Sequence, residues 1–377
     1  MDDTIPPREA RRNLARRMPR ERSQPWRWTD GGLATHNLPH RRRLPIPPPP
    51  ADAMPIRTPR FRLAALLVAV VPSMLLACGA LSAQASAPAS GTPVHVDTLA
   101  LRRTVEGMMR GYEGVAGVAV RGLRTGEGFS IRGDEPFPSA SLIKVAVLTT
   151  LLDEVRRGTM SLDERTTLIR RDRVPGDGML TVLDGGLQPT LGDLARLMIS
   201  ISDNTATNLL LDKLNIRTTW AKMDSLGLPR TRIHSKVYLR AASVAPDSSA
   251  RYGLGVTTPN EMVRLFTLLS QGRAVSPALD SVGMGMLRDN RDYTKLVRWL
   301  PETIVAAHKT GEVDQSRNDC GILFGPEQPV AVCVMTRENK DTSYAVDNPA
   351  NLLIARIGRE VFHQYNPSVA LPALPRI

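Results

Sequence analysis

The chain has 377 residues, 42% hydrophobic, 23% charged and 4% aromatic, which is enough for one large globular domain or two ordinary ones and too apolar for a mostly disordered chain. Its three cysteines exclude a disulfide-built fold and a four-cysteine zinc site. The net charge of +12 invites a polyanion partner, but residues 1–62 hold fourteen arginines against six acids, which is +8 of that total, so no nucleic-acid partner is expected of the rest.

Residues 1–53 are rich in Pro and Arg, with four successive prolines at 47–50, and show no apolar periodicity. They read as a disordered extension, or as sequence upstream of a true start at Met54. Arg57, Arg60 and Arg62 then precede an uncharged apolar run over 63–77. That run is too short for a membrane anchor and suits a signal peptide over 54–77. It ends Leu75-Leu76-Ala77-Cys78-Gly79, which resembles the bacterial lipobox. The resemblance implies cleavage before Cys78, lipidation of Cys78, and an exported periplasmic lipoprotein on a membrane anchor; a plain secretory signal is the alternative. Residues 78–95, rich in Ala, Ser, Pro and Gly, form a tether; about 16 such residues reach roughly 20–25 Å.

One domain is expected over 96–366, followed by a tail over 367–377. A helix is predicted over 96–110 and strands over 115–122 and 128–132, around a Thr125-Gly126 turn. Residues 141–157 are apolar almost all round, as in a buried helix, with Ser139 as its N-cap. Helices over 191–201 and 205–214 flank a polar break. Another opens at Thr258-Pro259-Asn260-Glu261, a capping-box pattern. Strands follow over 303–310, 319–324 and 330–336, and a last helix over 348–363. This order gives an α+β fold of three layers, α/β/α: an antiparallel sheet of about five strands drawn from both chain ends, with an all-helical subdomain inserted.

Ser141 stands three residues before Lys144, so hydroxyl and amine share one helix face. An amine on an apolar helix loses its proton easily, and a serine in the first turn has free N–H groups to hold an oxyanion. Ser202-Asp203-Asn204 sits at the break between two helices, and Lys309-Thr310-Gly311 ends a strand. Each element alone fits a capping or solvated role. Together, once each and in this order, they form the signature of class A β-lactamases and penicillin-binding proteins.

The domain therefore resembles the class A β-lactamase branch of the serine penicillin-recognising enzymes, over 96–366. The approach Phe137-Pro138-Ser139-Ala140-Ser141, the stretch from Met198 to Leu210, Thr257-Thr258-Pro259 and Arg317-Asn318-Asp319 also fit. The resemblance implies a serine hydrolase without cofactor or metal, monomeric, acting on a β-lactam or a cell-wall peptide. It implies that Ser141 is acylated, that Lys144 takes its proton, and that Ser202 passes a proton to the leaving nitrogen. Asn204 would hold Lys144 and the substrate amide, with Asp203 structural. Lys309, Thr310, Gly311 and Arg317 would bind the substrate carboxylate, and the N–H groups of Ser141 and Glu312 would form the oxyanion hole.

One family feature is missing. Class A enzymes hydrolyse the acyl-enzyme with a water held by a loop glutamate, and residues 227–246 contain no Asp or Glu. They carry Arg230, Arg232, Lys236 and Arg240, a basic loop expected to draw anionic substrates. The nearest acids read as structural: Glu261 as the capping-box partner of Thr258, Asp247 within a turn. His234 and Tyr238 lie in the right neighbourhood but are weak substitutes. Without that base deacylation should be slow. Alternatives are a D-alanyl-D-alanine peptidase or esterase, or a non-catalytic penicillin-binding lipoprotein. Cys320 and Cys333 should face each other across a hairpin, read as two small buried side chains with a disulfide as the alternative. Strand alternation turns His308 away from Lys309, in a structural role.

Overall fold

The computed structural model describes residues 93–374. The segments discussed above over residues 1–77, Cys78 and most of the tether lie outside the described residues.

Helix α1 (Thr98–Met109) starts where the Asp97 carboxylate accepts the N–H groups of Leu99 and Ala100, at 3.1 and 2.9 Å, an N-cap that satisfies two otherwise orphaned donors. The chain then forms strands β1 (Val115–Gly122) and β2 (Gly128–Ile131) and, near its other end, β6 (Val305–Val313), β7 (Ser316–Phe324) and β8 (Val330–Arg337). These pair in the order β2-β1-β8-β7-β6, antiparallel throughout. α1 and the last helix, α9 (Pro349–Tyr365), cover one face, burying Leu101, Val105, Ile354, Val361 and Phe362 against Val118, Val332 and Val334. The other face packs on the helical part of the chain. Three layers with an inserted helical region match the expected α+β architecture.

Within that region α2 (Lys144–Arg156) is buried over most of its length, next to α3 (Leu191–Ser200) and α4 (Asn204–Lys213). The other helices among the described residues are α5 (Ile216–Ser225), α6 (Pro246–Tyr252), α7 (Pro259–Ser270) and α8 (Pro277–Arg288). A second small sheet, β3 (Phe137–Pro138), β5 (Gly255–Thr257) and β4 (Arg232–Ile233), in the order β3-β5-β4, clasps the base of the 234–254 loop to the approach to Ser141.

Four details differ from the sequence reading. The predicted 141–157 helix is a 3-10 turn (Ala140–Ile143) leading into α2; Ser139 makes no side-chain capping bond, and Ala140 has φ 45°. β6 and β7 run past their predicted ends into a two-residue turn at Asp314-Gln315, with Glu312 opposite Arg317. Their polar stretch reads as a turn because it breaks the apolar alternation, yet most of it is buried at the cleft. Asp247 lies in a helix, α6, with Pro246 in its first turn. Cys320 and Cys333 occupy paired positions of β7 and β8 and are joined by a disulfide, so the reading as two separate thiols is corrected.

Candidate active site

The 3-10 turn lifts Ser141 to the wall of a cavity of about 550 Å³, which Ser202, Lys309, Thr310, Gly311 and Glu312 also line. Ser202 sits in the break between α3 and α4 with φ 60°, and with Ala140 it flanks the cleft in left-handed backbone. Such conformations cost on the order of 1–3 kcal/mol each and persist only where surrounding contacts enforce them.

Asp203 supplies that enforcement. Its Oδ1 accepts the Ala206 N–H at 2.8 Å, capping α4. Its Oδ2 accepts the N–H groups of Met179 and Leu180 at 2.7 and 2.9 Å, drawing the 174–180 loop over the cleft. Gly178 (φ 123°) permits this approach, because a Cβ there would stand 2.3 Å from Asp203 Cγ.

Lys144 is fully buried. Its Nζ donates to the Ser202 carbonyl at 2.6 Å and to Asn204 Oδ1 at 2.9 Å, and lies 3.1 Å from Ser202 Oγ. Burial drives its pKa well below the ordinary lysine range, aided by the Lys309 ammonium and only partly opposed by Asp177 and Asp203. Lys309, also buried, donates to Ser202 Oγ at 3.2 Å and to the Thr310 carbonyl at 3.0 Å. Its pKa is pushed down to about 8, mainly by burial, with Asp292 and Asp319 pulling it back up. Two amines thus converge on one hydroxyl. That arrangement can take a proton from a neighbouring alcohol and pass it on through Ser202.

β6 presses its backbone onto the Ser141 turn. A Cβ at Gly311 would lie 2.5 Å from the Ser139 carbonyl and 3.0 Å from the Ser141 nitrogen, so only glycine permits the contact. From β7, Asn318 Nδ2 donates to the carbonyls of Pro138 and Ser139 at 2.9 and 3.2 Å, fixing the same turn from below.

The structure brings Ser141, Lys144, Ser202, Asn204, Lys309, Thr310, Gly311 and Glu312 together. It does not bring Arg317. That side chain is fully buried; its guanidinium donates to the carbonyls of Val313, Ser316 and Ser343 and stacks 4.7 Å from the Tyr344 ring centroid. Glu312, opposite it on β6, takes the place at the cavity wall. His308 is turned away as expected, its Nδ1 held by Asp319 at 2.9 Å.

Asp177, Asp292 and Lys295 are among the cavity residues that the sequence did not reveal. Lys295 Nζ is buried and donates to Asp292 Oδ2 at 2.8 Å and to Thr294 Oγ1 at 3.1 Å, with Glu312 Oε2 at 3.2 Å. They lie in segments without helix or strand period, where sequence gives no direction to a side chain.

The loop reads differently in three dimensions. Arg230 donates to the Asp134 carbonyl, Arg232 pairs with Asp224 and Lys236 with Asp212. Only Arg240 of the four lines a cavity, a neighbouring one of about 960 Å³. The basic loop is therefore largely internally paired. Glu261 completes half of its predicted box: its N–H donates to Thr258 Oγ1 at 3.2 Å, but its carboxylate accepts the Arg230 N–H at 2.9 Å and the Thr231 hydroxyl at 2.6 Å. His234 is tied to the Gly253 carbonyl and Ser248, and burial keeps its pKa low.

A family model described as the beta-lactamase enzyme family matches residues 100–365. The chain belongs to that family. Beta-lactamase AER-1 of Aeromonas hydrophila is 28% identical over 275 residues, covering 71% of this chain and 86% of that protein. The crystal structure of a beta-lactamase from Sphaerobacter thermophilus superposes with a TM-score of 0.65 at 28% identity, over 73% of this chain and all of that one. PBP-A superposes with a TM-score of 0.63 at 25% identity, over 73% and 98%. These matches agree with the class A β-lactamase-like serine enzyme that the three motifs imply, and they make the protein a β-lactamase-like hydrolase.

Proposed function

We propose that the protein opens β-lactam rings by acyl transfer to Ser141 and releases the acyl group slowly. The observation that carries this reading is Lys144: a buried amine, its pKa driven down by burial, bound to Ser202 and Asn204 one turn from the serine. Lys144 takes the Ser141 hydroxyl proton as the oxygen attacks the ring carbonyl. The N–H groups of Ser141 and Glu312 stabilise the oxyanion. The ring C–N bond then breaks, and Ser202 delivers the proton to the departing nitrogen, leaving an ester on Ser141. Lys309 and Thr310 attract the substrate carboxylate.

Release requires an activated water. The loop from 227 to 246 offers no carboxylate, and Asn208 holds the apolar Val237 there by its N–H and carbonyl, at 2.8 and 3.0 Å. Loss of a general base costs on the order of 10²–10⁴ in rate. The same loop, together with the likeness to PBP-A, favours a second reading, a D-alanyl-D-alanine peptidase or esterase on cell-wall peptides. The arginine flank, apolar run and Cys78 support export and a lipid anchor; metabolic labelling with a fatty acid that fails to mark the protein, or marks a Cys78→Ser variant equally, would refute the anchor.

Intact mass of the purified protein after mixing with a penicillin tests the main proposal. We expect a 1:1 adduct that forms within minutes, persists far longer, and is absent from Ser141→Ala. Rapid decay with accumulating hydrolysed penicillin would instead mean an efficient hydrolase with a base elsewhere. No adduct at all would overturn β-lactam chemistry.

A further inference from the structure

On the cavity wall beside Lys309, one carboxylate oxygen sits between two buried cations. Glu312 Oε2 lies 3.2 Å from Lys295 Nζ and 3.6 Å from Arg317 Nε. Both cations are almost wholly shielded from solvent, whereas the Glu312 side chain is about one-third exposed, 34%, and lines the cavity. Arg317 Nε has no hydrogen-bond partner, although the rest of that guanidinium donates to backbone carbonyls. Buried cations with an unmet donor converging on one point make an anion seat, since an unpaired buried donor costs on the order of 1–3 kcal/mol.

The seat is fixed independently of its occupant. Asp319 reaches from β7 to accept the Leu296 N–H at 3.0 Å, which anchors the segment carrying Lys295. Asp292 and Thr294 hold the ammonium itself. The Tyr344 ring and the Val313, Ser316 and Ser343 carbonyls hold the guanidinium.

We propose that Glu312 is an internal carboxylate occupying this anion seat, so that a substrate carboxylate beside the reacting amide is denied these two cations and is left to Lys309 and Thr310. The inference rests on the acyl-transfer reading above and deepens it. The charges decide the direction. Lys295 and Arg317 are balanced by Asp292 and Glu312, so this corner offers an arriving carboxylate no net attraction, and Glu312 is the member that faces it. Lys309 remains the cation that recognises an anionic group.

The charge alone is removed by Glu312→Gln. Two unit charges about 4 Å apart interact by roughly 1 kcal/mol in water and several times that in a partly buried site, so a change of about tenfold or more is expected. The experiment measures the second-order rate of Ser141 acylation by intact mass, using benzylpenicillin and its neutral methyl ester with the full-length protein. In Glu312→Gln, and again in Glu312→Ala, the ratio of the penicillin rate to the ester rate should rise about tenfold, and added salt should shrink the gain. Adducts on wild type with an unchanged or lower ratio in both variants would overturn this inference and leave the acyl-transfer reading standing. No adduct from either compound on any of the three proteins would overturn that reading and this one with it.

Discussion

Helix α4 carries two asparagines one turn apart, Asn204 and Asn208, which spacing puts on one face, and they hold two very different regions. Asn204 Oδ1 accepts from Lys144, in a corner where Lys144, Ser202 and Lys309 form one connected polar cluster. Asn208 grips the backbone of Val237, in a loop whose four cations are committed to the Asp134 and Ser249 carbonyls and to acids of α4 and α5. The first region spends stability on chemistry, since burying an amine strips it of water and disfavours its charged form. The second spends its polar groups on holding a shape. On the proposed reading, acyl transfer would draw on the first region, and release would call on the second, which offers no carboxylate over 227–246.

Removing the amine breaks the first region. Lys144→Met keeps most of the volume but leaves the Ser202 carbonyl and Asn204 Oδ1 without this donor, so a lower melting temperature in a still-folded protein is expected. The rate of adduct formation on Ser141 should fall by about 10²–10⁴, the usual contribution of a positioned base. Thermal melting checks the fold and intact-mass kinetics the rate; adduct formation within tenfold of wild type would remove Lys144 from the proton path.

Adding a carboxylate to the second region sharpens the contrast. Val237→Glu puts an acid at the position that Asn208 clamps, one helical turn from the Asn204–Lys144 contact. If the missing base is what slows release, decay of the penicillin adduct should quicken by about tenfold to a hundredfold, with formation little changed. Unchanged decay in a variant that still folds would mean that the hydrolytic water approaches from another wall of the cleft.

The two regions were also unequally legible in the sequence. Ser141-Lys144, Ser202-Asp203-Asn204 and Lys309-Thr310-Gly311 could be read because each needs a fixed residue type at a fixed spacing on a helix turn, a helix break or a strand. The sheet could be read from its apolar alternation, except where Glu312 to Asp319 bury polar groups and so imitate a loop. Arg317 has the right type and neighbourhood, but only the register, Glu312 opposite Arg317, reveals that the glutamate stands at the cavity and the arginine behind it. Lys295 carried little signal, because of the acids around it only Asp292 belongs to its own segment, while Glu312 and Asp319 come from β6 and β7. The four loop cations suggested an electrostatic funnel; their carbonyl and carboxylate partners lie 8 to 96 positions away along the chain, beyond the reach of local pattern.

The smallest effect concerns the charge state of Lys309, and its direction follows from burial. The pKa of Lys309 is pushed down to about 8, so the ammonium is protonated at neutral pH and is lost as pH rises through that value. An anionic substrate that relies on this cation should therefore be captured less well above pH 8, by up to about tenfold over the next unit, while the neutral methyl ester keeps its rate. Lys144 is also depressed, mainly by burial and next by the Lys309 ammonium itself, and the neutral ester, which makes no use of the Lys309 charge, reports any part that Lys144 plays in the same pH range. Lys309→Arg separates this from any loss of the base, because a guanidinium stays charged throughout the range. In that variant the alkaline limb should vanish for penicillin. A limb that persists in Lys309→Arg, or appears equally with the methyl ester, would assign it to a group other than the carboxylate-binding cation and remove Lys309 from anion capture.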